Sequence, residues 1–427
     1  MKSVRDLLLQ IFGRGSAAPD APPPQVVAAN AGPRAPTQPT QPTQPTQPTQ
    51  PAAVFPPSTP GNELSLKMLR ALKGETGNVL FSGTSLRGAL GMTALGAKGK
   101  TLDELARVLE VAPDASRNVA DAKMERDAWT EAAGKSELAS ANRLWVDKRF
   151  ALDEDFLAQA ESGYGAAPSS VDFANAPGPS RETINEWVSQ ATQTRIKDLL
   201  PPPSIDATTL LVLTNAVYFK GSWAEPFPKE ATYEASFAAD AGAVTVPFMR
   251  KTRTMRFTEN EDVRAVELPY RDSDLAMLVV LPKDSAHLGE MATSLSAGEV
   301  DAWARGLAAA KVALALPRFT FSWGRSVKAE LEGMGIVSAF SDTADFSGIS
   351  APGHEPLMVS DVFHKAFVAV DEMGTEAAAA TAVVMMPRGG SAEEVIDMRV
   401  DRPFLFFIRS TKTGELLFAG RVMNPKS

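Results

Sequence analysis

No cysteine occurs in the 427 residues. Disulfides, thiolate nucleophiles and cysteine-based metal sites are therefore excluded, while the redox compartment stays undecided, because a disulfide-free fold can live on either side of a membrane. Histidine is nearly as scarce, with only His287, His354 and His364. No Gly-x-Ser-x-Gly elbow, His-Glu-x-x-His, phosphate loop or Gly-x-Gly-x-x-Gly is present. His364 lies inside the apolar run Val362–Val370, the place of a hydrogen-bonded core residue rather than a base, and His354 sits in a Pro-Gly turn facing solvent. Carboxylates are plentiful but form no identifiable pair. An enzyme is not expected, nor a cofactor, a metal or a small-molecule substrate.

Long apolar runs are also missing. No segment approaches ~18 uninterrupted apolar residues, so no transmembrane helix is expected. Net charge is −8 with Lys and Arg spread along the chain, which gives no nucleic-acid footprint. The hydrophobic fraction of 44% and charged fraction of 22% are those of a soluble globular protein with a sizeable core. Residues 1–18 read either as a weak signal segment or as a short amphipathic tail. Their apolar core, Leu7–Phe12, is interrupted by Gln10 and falls short of the usual ~7–15 residues.

What is present begins with proline. Residues 19–60 are low complexity, and Thr-Gln-Pro occurs five times in succession from Thr37 to Pro51. Proline at every third position removes backbone donors and holds the preceding Gln extended, giving a disordered, semi-rigid linker of ~3.1 Å per residue. It serves as a tether or as an inert extension. A folded domain is expected over 61–427. Helical spacing appears at Leu64–Leu72, over Ser82–Val111 as two helices (the second opened by Thr101 and Glu104 as a capping box), and at Asp153–Ser162 and Thr183–Leu200. Strands are expected at Val79–Phe81 and Ser140–Val146. From Leu210 they dominate: Leu210–Phe219, Val244–Arg250, Thr252–Thr258, Val263–Leu268, Leu275–Leu281, Lys311–Phe321, Val359–Val370, Phe404–Arg409 and Leu416–Val422. Helices are also expected at Val300–Leu307 and Val327–Met334. With no βαβ rhythm, the class is α+β with large, mostly antiparallel sheets.

One stretch, Asp371–Gly390, holds no His, Cys or Lys. It reads as a segment to be acted upon. Counted in steps of two, Thr375, Ala377, Ala379, Thr381, Val383 and Met385 are all small or apolar, and no proline interrupts Thr375 to Met386. That is a strand able to enter a sheet interior. The competing reading is a helix, since Glu376 followed by four alanines has strong helix propensity. The stretch ends in Pro387-Arg388-Gly389-Gly390, an exposed basic turn.

Several ordered blocks together resemble the serpin family. They are Asn215-Ala-Val-Tyr-Phe-Lys-Gly-Ser-Trp223, Val266-Glu-Leu-Pro-Tyr270, Leu316-Pro-Arg-Phe319, His364-Lys-Ala-Phe367, Asp401-Arg-Pro-Phe-Leu-Phe406 and Phe418-Ala-Gly-Arg-Val-Met-Asn-Pro425. The resemblance implies three mostly antiparallel sheets, eight or nine helices and an exposed reactive-centre loop. It also implies a serine protease inhibitor that acts once: a protease attacks the loop, forms an acyl-enzyme, and is trapped as the cleaved loop inserts into the central sheet. Family spacing from the hinge glycine, Gly374, places the scissile bond at Arg388–Gly389, so a trypsin-like protease is the implied covalent partner and a monomer the implied state. Met385 or Met386 is the lesser candidate for the bait. The hinge would be Gly374, Thr375, Glu376, Ala377, Ala378, Ala379, Ala380 and Thr381.

Further positions carry over one by one. Glu372 and Arg318 match an ion pair at the top of the central sheet, and Trp223 the tryptophan beneath it, the family's breach. Ser82, Ser85, Asn215 and His364 match its shutter, where the sheet's strands part. Two departures stand out: Gly83 occupies a usual proline position, and the segment from Gly389 to Pro403 is a few residues longer than in many relatives. An extracytoplasmic location, secreted or tethered to the cell envelope, follows from family habit and the linker. The alternative is a non-inhibitory serpin acting as a binding or chaperone module.

Overall fold

The computed structural model describes residues 60–284, 287–350, 356–375 and 394–426. The expected tail and linker therefore lie outside the described residues, apart from Pro60. Nine α-helices are found among the described residues. The first six are α1 (Pro60–Ala71), α2 (Gly83–Gly96), α3 (Gly99–Leu109), α4 (Ala115–Ala133), α5 (Glu154–Tyr164) and α6 (Pro177–Ala191). The others are α7 (His287–Ser294), α8 (Ala297–Gly306) and α9 (Lys328–Gly333). Strands begin with β1 (Val79–Phe81), β2 (Glu137–Asp147), β3 (Ser169–Val171), β4 (Leu211–Ser222) and β5 (Tyr233–Ala239). Next come β6 (Gly242–Glu259), β7 (Val263–Pro269), β8 (Leu275–Pro282), β9 (Ala308–Pro317) and β10 (Phe319–Ser326). The last are β11 (Asp361–Asp371), β12 (Gly374–Thr375), β13 (Ile396–Arg399), β14 (Phe404–Ser410) and β15 (Leu416–Val422).

A six-stranded sheet runs β10-β11-β12-β4-β2-β3, with β11 also pairing β4 directly. The other strands form one continuous sheet, β1-β15-β14-β8-β7-β6-β9-β13, with β5 on β6. Two of the three expected sheets are thus joined, because β6 is long enough for both: its first half pairs β5 and its second half β7. The six-stranded sheet is covered on both faces, so β4 is buried over nearly its whole length. Leu211, Leu213, Val217 and Phe219 face the main core, while Val212 and Ala216 belong to a second cluster with Ile184 and Val188 of α6. This is the alternation of a strand sandwiched between two apolar layers.

Several expected boundaries move. Lys311–Phe321 divides at Arg318 into β9 and β10, and Val244–Thr258 is one strand. The helix expected over Thr183–Leu200 begins earlier and ends at Ala191, because Gln193 and Thr194 turn left-handed (φ 51° and 64°) and break the ladder before the prolines. No capping box forms at Thr101. Glu104 instead accepts from the backbone N–H groups of Val337 and Ser338 at 2.8 and 2.7 Å, and Thr101 Oγ1 accepts from Asp345 N. Helix α4 is unforeseen, since only Asn118, Trp129 and Ala133 of its residues are buried and no apolar stripe marks it.

Beneath the continuous sheet, Glu267 is buried and ion-paired with both Arg256, at 2.9 Å, and the buried Arg409. Removing one partner of such a group strands the other charge in the core, at a cost of roughly 3–5 kcal/mol. Glu267→Leu, which takes the carboxylate away from the buried Arg409, is expected to lower the stability measured by urea unfolding by that amount, and adding Arg409→Met to recover most of it.

Candidate functional site

The six-stranded sheet parts between β4 and β11. The two run parallel and pair from Asp361↔Val212 to Phe367↔Tyr218. Beyond that they separate, and β12 lies between them, antiparallel to both: Thr375 opposes Val370 on one side and Gly221 on the other, and Gly374 opposes Asp371 and Ser222. The chain reverses from β11 into β12 through Asp371–Met373. Asp371 Oδ1 accepts from the N–H groups of Met373 and Gly374 at 2.8 and 3.2 Å, which fixes the reversal. Gly374 is required by proximity, since a Cβ there would sit 2.1 Å from Gly221 O. Thr375 is wholly buried, and its Oγ1 lies 2.7 Å from Tyr270 OH.

Trp223 closes the top of the parting from below. Its ring stacks on Tyr270 at 4.8 Å and 15°, its indole N–H donates to Asp371 O at 2.9 Å, and its backbone N–H donates to Met373 O. Burial pushes the Tyr270 phenol up, although the Thr375 hydrogen bond opposes this, so it remains a neutral partner for Thr375. Glu372, 2% exposed, accepts from Arg318 Nε at 2.8 and 2.9 Å and from Thr232 Oγ1 at 2.5 Å. Desolvation works against its charge, but these hydrogen bonds and the guanidinium hold its carboxyl below the usual range. The expected Glu372, Arg318 and Trp223 are thus brought together.

Lower in the parting a polar row crosses three strands. Asn142 on β2 opposes Asn215 on β4, which opposes His364 on β11. Asn215 Nδ2 donates to Ser85 Oγ at 2.7 Å and to Asn142 Oδ1, while His364 Nδ1 bonds Asn215 Oδ1. His364 is fully buried against Phe81, with ring centroids 4.4 Å apart. Burial holds its pKa down at about 3, so the ring is neutral. Ser85, Asn215 and His364 come together in one hydrogen-bonded group. Ser82 stands one step away, capping α2 by accepting from Ser85 N at 3.2 Å. Asn142, and Ser140 at 3.0 Å from Ser85 Oγ, were missed. The available signal was parity: both share a face with Leu138, Leu144 and Val146.

Gly83 also finds its reason here. Its N–H donates to Ser65 Oγ at 3.0 Å, and a Cβ would lie 2.4 Å from Ser65 N, so a proline would lose the bond and collide. The hinge residues Glu376, Ala377, Ala378, Ala379, Ala380 and Thr381, the bond Arg388–Gly389, and His354 lie outside the described residues. Among the described residues no cluster of His, Asp and Glu could hold a metal.

A family profile described as "Serpin (serine protease inhibitor)" matches residues 60–425. An uncharacterized serpin-like protein of Thermococcus kodakarensis is 38% identical over 372 residues, 86% of this chain and 85% of that protein. Human antithrombin-III is 36% identical over 362 residues, 83% of this chain and 78% of that one. The crystal structure of human thyroxine-binding globulin complexed with thyroxine superposes with a TM-score of 0.76 at 26% identity, covering 86% of this chain and 97% of that one.

His364 stays neutral in the folded chain but binds a proton below pH 6.5 once exposed, so acid favours the opened state. Between pH 6.5 and about 3 the native state should lose stability as pH falls, and His364→Gln should flatten that loss. Melting temperatures of both proteins at pH 7.5 and 5.0 measure it. Their difference removes Glu415, whose carboxyl burial pushes to about 7 and whose effect has the opposite sign.

Proposed function

The chain belongs to the serpin family, and from that premise we propose that it is an inhibitory member, a single-use trap for a trypsin-like serine protease. The protease attacks Arg388–Gly389, the acyl-enzyme forms, and the freed loop enters the sheet between β4 and β11 before deacylation. The observation that carries this reading is the position of β12. Gly374 and Thr375 already lie between the two strands with the antiparallel register that an entering strand would continue.

Continuing that register places Ala377 opposite Phe219 and Val368, Ala379 opposite Val217 and Ala366, Thr381 opposite Asn215 and His364, and Val383 opposite Leu213 and Val362. Except for the polar pair, these are main-core residues, so the face beginning at Thr375 is the one that must be small or apolar. Insertion would exchange one parallel ladder for two antiparallel ones, and antiparallel pairing is slightly the stronger per residue. The uninserted form is then held kinetically. Arg388 suits a primary pocket with a carboxylate at its base. Residues 19–60 serve as a tether for the domain that follows, outside the cytoplasm, and the inhibitor works as a monomer. A second reading, a non-inhibitory binding module, takes support from the likeness to thyroxine-binding globulin.

Incubation with trypsin should give a covalent complex that survives denaturing electrophoresis. Cleaved chain alone, without complex, refutes the inhibitory reading, and an unchanged melting temperature after loop cleavage favours the binding module. Thr375→Arg should turn inhibitor into substrate, because a cation would have to enter beside Tyr270. Arg388→Ala should abolish inhibition of trypsin, and retained potency would move the bait to Met385 or Met386.

A further inference from the structure

We infer that an open cavity beside β2, walled by α2, α4 and the end of α5, binds an amphipathic carboxylate, a molecule with an apolar body and one anionic end. The cavity measures about 370 Å³, a size typical of small-molecule sites. It exists because β2 is incompletely covered. On one side β2 pairs with β4 from Glu137 to Val146, but on the other it meets β3 only from Trp145 to Asp147. Among the described residues the edge from Glu137 to Leu144 therefore has no strand beside it, and α4 spans the gap with few inward side chains. Leu138, Val217, Ala122 and Trp129 give the cavity its apolar lining.

Its polar lining includes Arg143, alongside the carboxylates Glu125 and Asp121, which pair with Arg87 and Arg117. The Arg143 guanidinium carbon lies 4.2 Å from the centroid of Trp187, which also lines the cavity, and 5.4 Å from that of Trp145. Its Nε is buried without an acceptor, and the side chain makes no hydrogen bond or ion pair with the described residues. Glu161 acts on it electrostatically from beyond ion-pair distance. The other cations of the wall are committed: Arg87 pairs with Glu125, and Arg126 donates to Gly163 O. A planar guanidinium held on an aromatic face, with its donors unused, suits a carboxylate, which can accept two of its N–H groups at once. The adjoining aromatic and aliphatic wall suits an alkyl or aryl body. A fully polar anion would leave that wall wet, and an uncharged lipid would leave Arg143 unanswered.

Calorimetric titration of the full chain with decanoate, below its micellar concentration at neutral pH, tests this directly. One saturable site is expected, with decanol at least ten-fold weaker. Arg143→Gln, which removes the cation, and Ala122→Phe, which fills the cavity, should each weaken decanoate at least ten-fold. Melting curves establish that both variants are folded; should Ala122→Phe fail to fold, Arg143→Gln and decanol still decide. No saturable binding to the unaltered chain, or equal affinity in Arg143→Gln, overturns the proposal.

Discussion

Two parallel strands that meet along only part of their length govern the rest of this structure. β4 and β11 pair between Val212 and Tyr218 on one side and Asp361 and Phe367 on the other, and beyond that a third strand separates them. Parallel pairing is the weaker kind, and this seam lies in the middle of a sheet whose other long pairs are antiparallel. A single described side-chain hydrogen bond, from His364 to Asn215, crosses it in a fully buried setting. In such surroundings a polar pair is strong while made and costly when parted. The seam is therefore closed by a discrete, buried contact.

Above the seam the same sheet is held apart by equally specific means. Phe219, Tyr270 and Trp223 form one aromatic stack under the parting, with Phe219 edge-on to Tyr270 at 4.9 Å. Glu372 is a carboxylate taken out of water, tolerable only because Arg318 and Thr232 occupy its lone pairs. These contacts pin both ends of the reversal between β11 and β12. Direction and register of the chain are thus set at Thr375, before the residues that would extend the strand. Gly374 contributes close approach to Gly221, which extends its expected role as a pivot.

Much of this was legible in the sequence, and each miss has its own physical cause. Strands with strong apolar runs, such as Leu211–Ser222 and Leu275–Pro282, were found to within three residues at each end, because burial fills them with apolar side chains. The parting's own residues were found through resemblance to a family, since no local pattern marks Glu372 or Trp223 as neighbours. Helix α4 was invisible because its burial is slight, and β3, β12 and β13 because they are too short to show alternation. The capping box at Thr101 failed for another reason: Glu104 had a competing claim from Val337 and Ser338, far away in sequence. Asn142 could have been found, as a polar residue at a core-facing step of β2.

The polar row also constrains any strand that enters the seam. Asn142 and Asn215 lie on the same side of it and stay together when β4 and β11 separate, but His364 lies across it and would lose Asn215. Its Nε2 already lacks a partner among the described residues, so the ring would then be buried with both nitrogens unmet. Antiparallel continuation from Thr375 brings position 381 opposite both Asn215 and His364. Threonine there supplies a hydroxyl that can donate to one and accept from the other. On the proposed insertion, alanine at 377 and 379 would come opposite Phe219, Val368, Val217 and Ala366, and valine at 383 opposite Leu213 and Val362. On that proposal, a segment with no chemistry of its own would be matched, step by step, to the two strands it would have to part.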